Sequence, residues 1–103
     1  MLSLVESIDK ILRYSENYSN AEDFNNSERD FDATMMNFVV IGEIIDKLSD
    51  ELINNNSQID WIRIKGLRNI IAHNYFGINV DSIWQIIIND IPKFKLEISE
   101  IIK

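Results

Sequence analysis

The sequence contains no cysteine, one histidine (His73) and one proline (Pro92) among its 103 residues. Without cysteine there can be no disulfides, thiolate metal sites or cysteine nucleophiles, and a lone histidine excludes histidine-rich metal sites. Catalysis would have to run on one imidazole, carboxylates, guanidinium groups and phenols. No apolar run approaches the roughly 18 residues that a membrane span needs. The opening MLSLVESIDKILRYSEN meets Glu6 before a signal-peptide core could form, so a cytoplasmic protein without a membrane partner is expected. What is present is ordinary for one globular domain: 46% apolar residues and about a tenth aromatic. Collagen-like, disulfide-scaffold and wholly disordered classes are excluded.

The formal net charge of −7 argues against non-specific attraction to a phosphate backbone. Its distribution says more. Residues 1–60 carry a net −9, whereas 61–103 carry a net +2. The acidity lies in the first part of the chain, and the run Glu22–Asp32 reads as a solvated face or a contact for a basic partner.

Residues 2–16 put Leu4, Val5, Ile8, Ile11, Leu12 and Ser15 on one face at helical spacing, with Glu6, Asp9, Lys10 and Arg13 mostly opposite, predicting a first amphipathic helix. Between Asn17 and Asp30 only Tyr18 and Phe24 are large and apolar, so a loop or a short, poorly packed helical turn is expected. Ser27 followed three residues later by Asp30 resembles a capping box at a helix start. From Glu28 to about Ile53 the residues Phe31, Met35, Phe38, Val39, Gly42, Ile45, Leu48 and Leu52 step by three and four, predicting one long second helix of about seven turns. Gly42 inside it costs roughly 1 kcal/mol relative to alanine, which suggests a close helix crossing or a ligand near the backbone. The run Asn54–Ser57 ends this helix. Asp60 can cap a third, from Trp61 through Ile64, Leu67, Ile70 and Ile71 to about Ala72, with Gly77 at its exit. Asn79 or Asp81 can cap a fourth containing Ile83, Trp84, Ile87 and Ile88, which Pro92 kinks or restarts as a last helix through Phe94, Ile98, Ile101 and Ile102. The expected fold is all-α, one domain over residues 1–103, an antiparallel bundle of four to five helices.

Candidate chemistry concentrates in Trp61–Tyr75, WIRIKGLRNIIAHNY, which holds Arg63, Lys65, Arg68, Asn69, His73, Asn74 and Tyr75 and no acid. These are the parts needed to hold a phosphodiester and move a proton on it. Arginine offers a planar fork of donors to phosphate oxygens, and histidine titrates near neutral pH as general base or acid. At about 100° per residue, Arg68 and His73 stand about 140° apart on a continuous helix, while Arg68 and Tyr75 nearly eclipse. Either the helix ends near Ala72 and His73 swings round, or a second copy of the chain completes the site. A two-fold dimer would bring two imidazoles to one phosphodiester, a base for the 2′-hydroxyl and an acid for the leaving 5′-oxygen.

Arg68-Asn69-Ile70-Ile71-Ala72-His73-Asn74-Tyr75 matches the Arg-x4-His-x-Tyr motif of the HEPN superfamily, and the chain resembles its HepT-type (DUF86-like) toxin branch. Gly42-Glu43, Trp61 and Ile64 ahead of Gly66-Leu67-Arg68-Asn69, Ile78 to Trp84, and Asp90-Ile91-Pro92 agree with the same pattern, so the likeness spans essentially the whole chain. The resemblance implies an α-helical homodimer that cleaves RNA without a metal or other cofactor, with Arg68 and His73 of both subunits lining a cleft at the interface. It further implies a toxin of a type VII toxin–antitoxin system, whose cognate minimal nucleotidyltransferase antitoxin transfers AMP to Tyr75. A nucleotide there adds bulk and negative charge beside groups that must bind RNA phosphate.

Each residue also has a plainer role. His73 would be favourable at a helix C-terminus whether or not it reacts, Arg68 could pair with surface acids, and Tyr75 could be a half-buried aromatic. Asn69 orients the site or is a solvated polar residue, and Glu43 partners Arg68 or is one more solvated acid. Arg63 and Lys65 extend a phosphate track or snorkel, and Trp61 and Trp84, at helical core spacing, could stack bases but are expected to pack in the core. The competing functional class is a non-catalytic nucleotide-binding or scaffold subunit of a nucleotidyltransferase complex, and a bare helical dimerisation module is the third.

Overall fold

A computed structural model of the chain describes residues 2–66, 69 and 80–101, and among them every regular element is helical. Helix α1 (Leu2–Ser15) turns Leu4, Ile8 and Ile11 into the core, with Val5 and Leu12 packed beside them, as the spacing of apolar residues requires. Its last residue, Ser15, is buried, and its hydroxyl donates to the Ile11 carbonyl at 2.8 Å, so the buried oxygen is satisfied within the helix.

The segment expected to be a loop or a poorly packed turn is a packed element. Helix α2 (Ala21–Asn26) is capped by Asn20, whose side-chain oxygen accepts the Asp23 N–H at 2.8 Å, and Glu22 and Asp23 lie at its positive end. Phe24 is fully buried, with its ring centroid 5.5 Å from Tyr18, 5.6 Å from Phe31 and 5.5 Å from Trp84. A single aromatic in a polar stretch thus joins α2 to two other helices, with ring geometries that favour tilted contacts.

Helix α3 (Glu28–Asp46) starts at Ser27, although not through the expected capping box. The Ser27 hydroxyl donates to the Asp30 carboxylate at 3.4 Å instead of accepting a backbone N–H, and the same carboxylate takes the Tyr18 hydroxyl at 2.5 Å. The long second helix expected from Glu28 to about Ile53 is two helices. Lys47 and Leu48 fold back onto the Ile44 and Ile45 carbonyls at 3.1 Å each, closing α3 in a tight turn. Ser49 then caps α4 (Asp50–Asn55), accepting the Leu52 N–H at 3.1 Å, with Asp50 and Glu51 in the first turn. A serine followed by two acids is a helix-start signal, and here it outweighs the uninterrupted apolar spacing.

Gly42 is buried in the middle of α3. Val39, placed by its spacing on the apolar face, is 38% exposed, and with Met36 (63%) and Val40 (37%) it forms an apolar stripe on the outer side of the helix. α1 lies along α3, α2 bridges α3 and the C-terminal helical rod (Val80–Ile101), and α1 also meets that rod.

The fifth helix, α5, is described over 61–66, and its continuation towards Ala72, the exit at Gly77 and a cap at Asn79 lie outside the described residues. Helix α6 (Val80–Gln85) contains Asp81 in its first turn and so is not capped by it. It runs without interruption through a π-helical turn (Ile86–Asp90) into α7 (Ile91–Ile101). In the wide turn the Ile91 N–H reaches back to the Ile86 carbonyl. Pro92 is the second residue of α7, where α geometry restarts after the π turn with no gap in the rod. It has no N–H for the carbonyl four residues back and its ring crowds that group, and the widened turn immediately ahead takes up the misfit. Ile83, Ile87, Ile91, Phe94 and Ile98 carry the rod's apolar side into the core.

Candidate active site

The helix leading into the motif is anchored at its first turn. The Asp60 carboxylate accepts the Arg63 N–H at 3.1 Å, as expected of a cap, and the Asp60 carbonyl accepts the Ile64 N–H at 3.1 Å. Trp61 and Ile64 are buried. The Trp61 ring meets Phe94 of α7 edge-on, with centroids 6.2 Å apart, and its indole N–H donates to the Asn56 carbonyl at 2.9 Å. One side chain thus packs α5 on α7 and gives a second donor to the carbonyl that also accepts the Ile59 N–H at 3.1 Å where α4 ends. Trp84 is also buried, against Phe24, so both tryptophans pack in the core.

With Trp61 and Ile64 inward, Ile62, Arg63 and Lys65 are left on the outside, Ile62 at 87% exposure. Neither cation stands alone. The Arg63 guanidinium donates to the Asp90 carboxylate at 2.7 Å, and the Lys65 ammonium lies 3.3 Å from the Asp46 carboxylate at the end of α3. The hydrogen bond that Arg63 donates to Asp90, then the charge of that carboxylate, hold the Arg63 pKa above its ordinary value, against a smaller opposing effect of burial. Arg63 and Lys65, which have no acid beside them in the segment that follows Asp60, are paired in space with acids from the π turn and from the end of α3. Asp90 and Asp46 are the residues that sequence reasoning did not single out for this site. The signal for Asp90 was its place in Asp90-Ile91-Pro92, and nothing marked Asp46 among the many acids of its half.

Asn69 is helical and exposed, available to solvent or a partner. Glu43 lies on the exposed side of α3, next to buried Gly42. Arg68, His73, Asn74 and Tyr75 lie outside the described residues, as does any pairing of Glu43 with Arg68. Among the described residues no three His, Cys, Asp or Glu side chains cluster as metal ligands do, and no helix is long and apolar enough to cross a membrane.

The family model described as ribonuclease HepT-like matches residues 4–101. A protein of Methanocaldococcus jannaschii provisionally named an RNase is 33% identical over 103 residues, an alignment that covers all of this chain and 84% of the relative. A second protein of that organism with the same provisional name is 28% identical over 98 residues, covering 95% of this chain and 89% of its own. A similarly named protein of Caldanaerobacter subterraneus subsp. tengcongensis is 34% identical over 64 residues, covering 62% of this chain and 57% of its own. No solved structure matches the chain at comparable significance.

Proposed function

The chain belongs to the ribonuclease HepT-like family of the HEPN superfamily, and from that membership we propose that it is a metal-independent endoribonuclease, the toxin of a type VII toxin–antitoxin pair acting in the cytoplasm. The observation that carries the reading is that the family match runs from residue 4 to residue 101 and so includes Arg68, His73 and Tyr75 at the Arg-x4-His-x-Tyr spacing.

In this mechanism His73 of one subunit takes the proton of the RNA 2′-hydroxyl as its oxygen attacks phosphorus. His73 of the second subunit gives a proton to the departing 5′-oxygen. Arg68 meets the charge that builds on the phosphorane oxygens, where a preorganised guanidinium is most effective. Asn69 orients these groups, and Glu43 supports Arg68 from α3. Arg63 and Lys65 add affinity for flanking phosphates through the surface that Asp90 and Asp46 leave open. One histidine per chain supports the homodimer, because only two copies supply both a base and an acid. The apolar stripe of Met36, Val39 and Val40 on α3 supports it as a surface suited to burial. Tyr75 is the off switch: AMP transferred to its phenol by a nucleotidyltransferase antitoxin blocks the cleft and repels RNA.

His73→Ala is expected to lower RNA cleavage by roughly 10²–10⁴-fold in chelator-containing buffer, while the dimer and its helical content persist. Undiminished cleavage by that variant would overturn the assignment. Intact mass after co-expression with the antitoxin is expected to rise by whole adenylate units and to stay unchanged in Tyr75→Phe.

A further inference from the structure

Arg63 and Asp90 stand on either side of the stretch that carries the motif, one on α5 leading into it and the other on the π turn of the rod beyond it. Their contact is 2.7 Å long, and the carboxylate side chain is 21% exposed while the guanidinium is 55% exposed. The pair lines a small open cavity of about 110 Å³ together with Asp60, Ile64, Lys93 and Glu97. The π turn matters to this contact because its extra residue per turn shifts the azimuth of the rod's later side chains, and here Asp90 faces α5.

We propose that Asp90 is a positioning residue of the ribonuclease, holding the rotation of α5 over 61–66 through Arg63. The inference rests on the ribonuclease reading. It separates Asp90 from a purely electrostatic role. An acid that only competes with RNA for Arg63 would weaken substrate binding, whereas an acid that orients α5 supports turnover. An exposed ion pair adds little to stability, but a small displacement of reacting groups slows a reaction steeply. The effect therefore belongs in kcat.

The test measures kcat and KM on a single-stranded RNA oligonucleotide for Asp90→Asn, Arg63→Met, the double variant and the charge-reversed pair Arg63→Asp with Asp90→Arg. Amide hydrogen exchange over 61–66 is followed in the same proteins without RNA. Each single substitution is expected to lower kcat by roughly tenfold, with the double variant no worse than the more impaired single. The reversed pair should recover most of kcat while KM stays raised, because the cation has left position 63. Exchange over 61–66 should quicken in the single variants and slow again in the reversed pair. A lowered KM with unchanged kcat in Asp90→Asn, or exchange indifferent to both substitutions, overturns the positioning role alone. A wild-type protein that cleaves no RNA overturns the ribonuclease reading, and the positioning role with it.

Discussion

Where α1 lies along α3, the seam is built from Leu4, Ile8 and Ile11 of one helix and Phe38, Ile41 and Ile45 of the other, none more than 2% exposed. Over its described residues 61–66, helix α5 is held differently, by the apolar anchors Trp61 and Ile64 on its inner side and the ion pairs Arg63–Asp90 and Lys65–Asp46 on its outer side. Burial of each large side chain in the first seam contributes about 1.5–3 kcal/mol, whereas an exposed ion pair in the second contributes roughly 0–1 kcal/mol. The first seam sets whether the chain folds. The second fixes how α5 sits over 61–66, and directional contacts suit that task better than non-directional burial.

The contrast can be broken most sharply at Phe38. Phe38→Ala leaves a cavity in the α1–α3 seam and is expected to lower the unfolding free energy by about 3–5 kcal/mol in urea denaturation. A loss below about 1 kcal/mol there, the scale of an exposed ion pair, would mean that the seam is not the main source of stability. A smaller effect is expected at Trp61, where Trp61→Phe removes the N–H bond to Asn56 and part of the ring that meets Phe94, at about 1–2 kcal/mol by the same measurement. A cost equal to that of Phe38→Ala would erase the distinction between the seams. The smallest belongs to Lys65→Met, with about 0–1 kcal/mol lost in stability. Its RNA KM should rise most at low salt, where charges are least screened. A salt-independent KM would show that the outer face of α5 meets no phosphate.

Most helices were legible in the sequence because their apolar residues recur with the period of the helix. Leu4, Ile8 and Ile11 mark α1, and Asp60 marks the start of α5 by a local hydrogen bond that needs no tertiary partner. The misreadings have local causes too. Apolar spacing continues across Lys47–Ser49, so the break between α3 and α4 was hidden, although Ser49 with Asp50 and Glu51 carried the signal. Phe24 looked isolated because a polar neighbourhood says nothing about what distant rings will meet, and its three partners are separate in sequence. Of the candidate site, the residue types and the Arg-x4-His-x-Tyr spacing were legible. The acids that face Arg63 and Lys65 were not, since a one-dimensional charge count cannot see across 27 residues to Asp90.

The sequence by itself determined the helical class, the family and the chemical parts available, because periodicity, capping and motif spacing act over a few residues. It also set the split between an acidic first part and a mildly basic second. Only the tertiary structure decided that Arg63 and Lys65 are paired, that Phe24 is a core residue, and that a π turn precedes Pro92, from which Asp90 meets Arg63. Those outcomes depend on which helices meet and at what rotation, and packing of the whole core sets both.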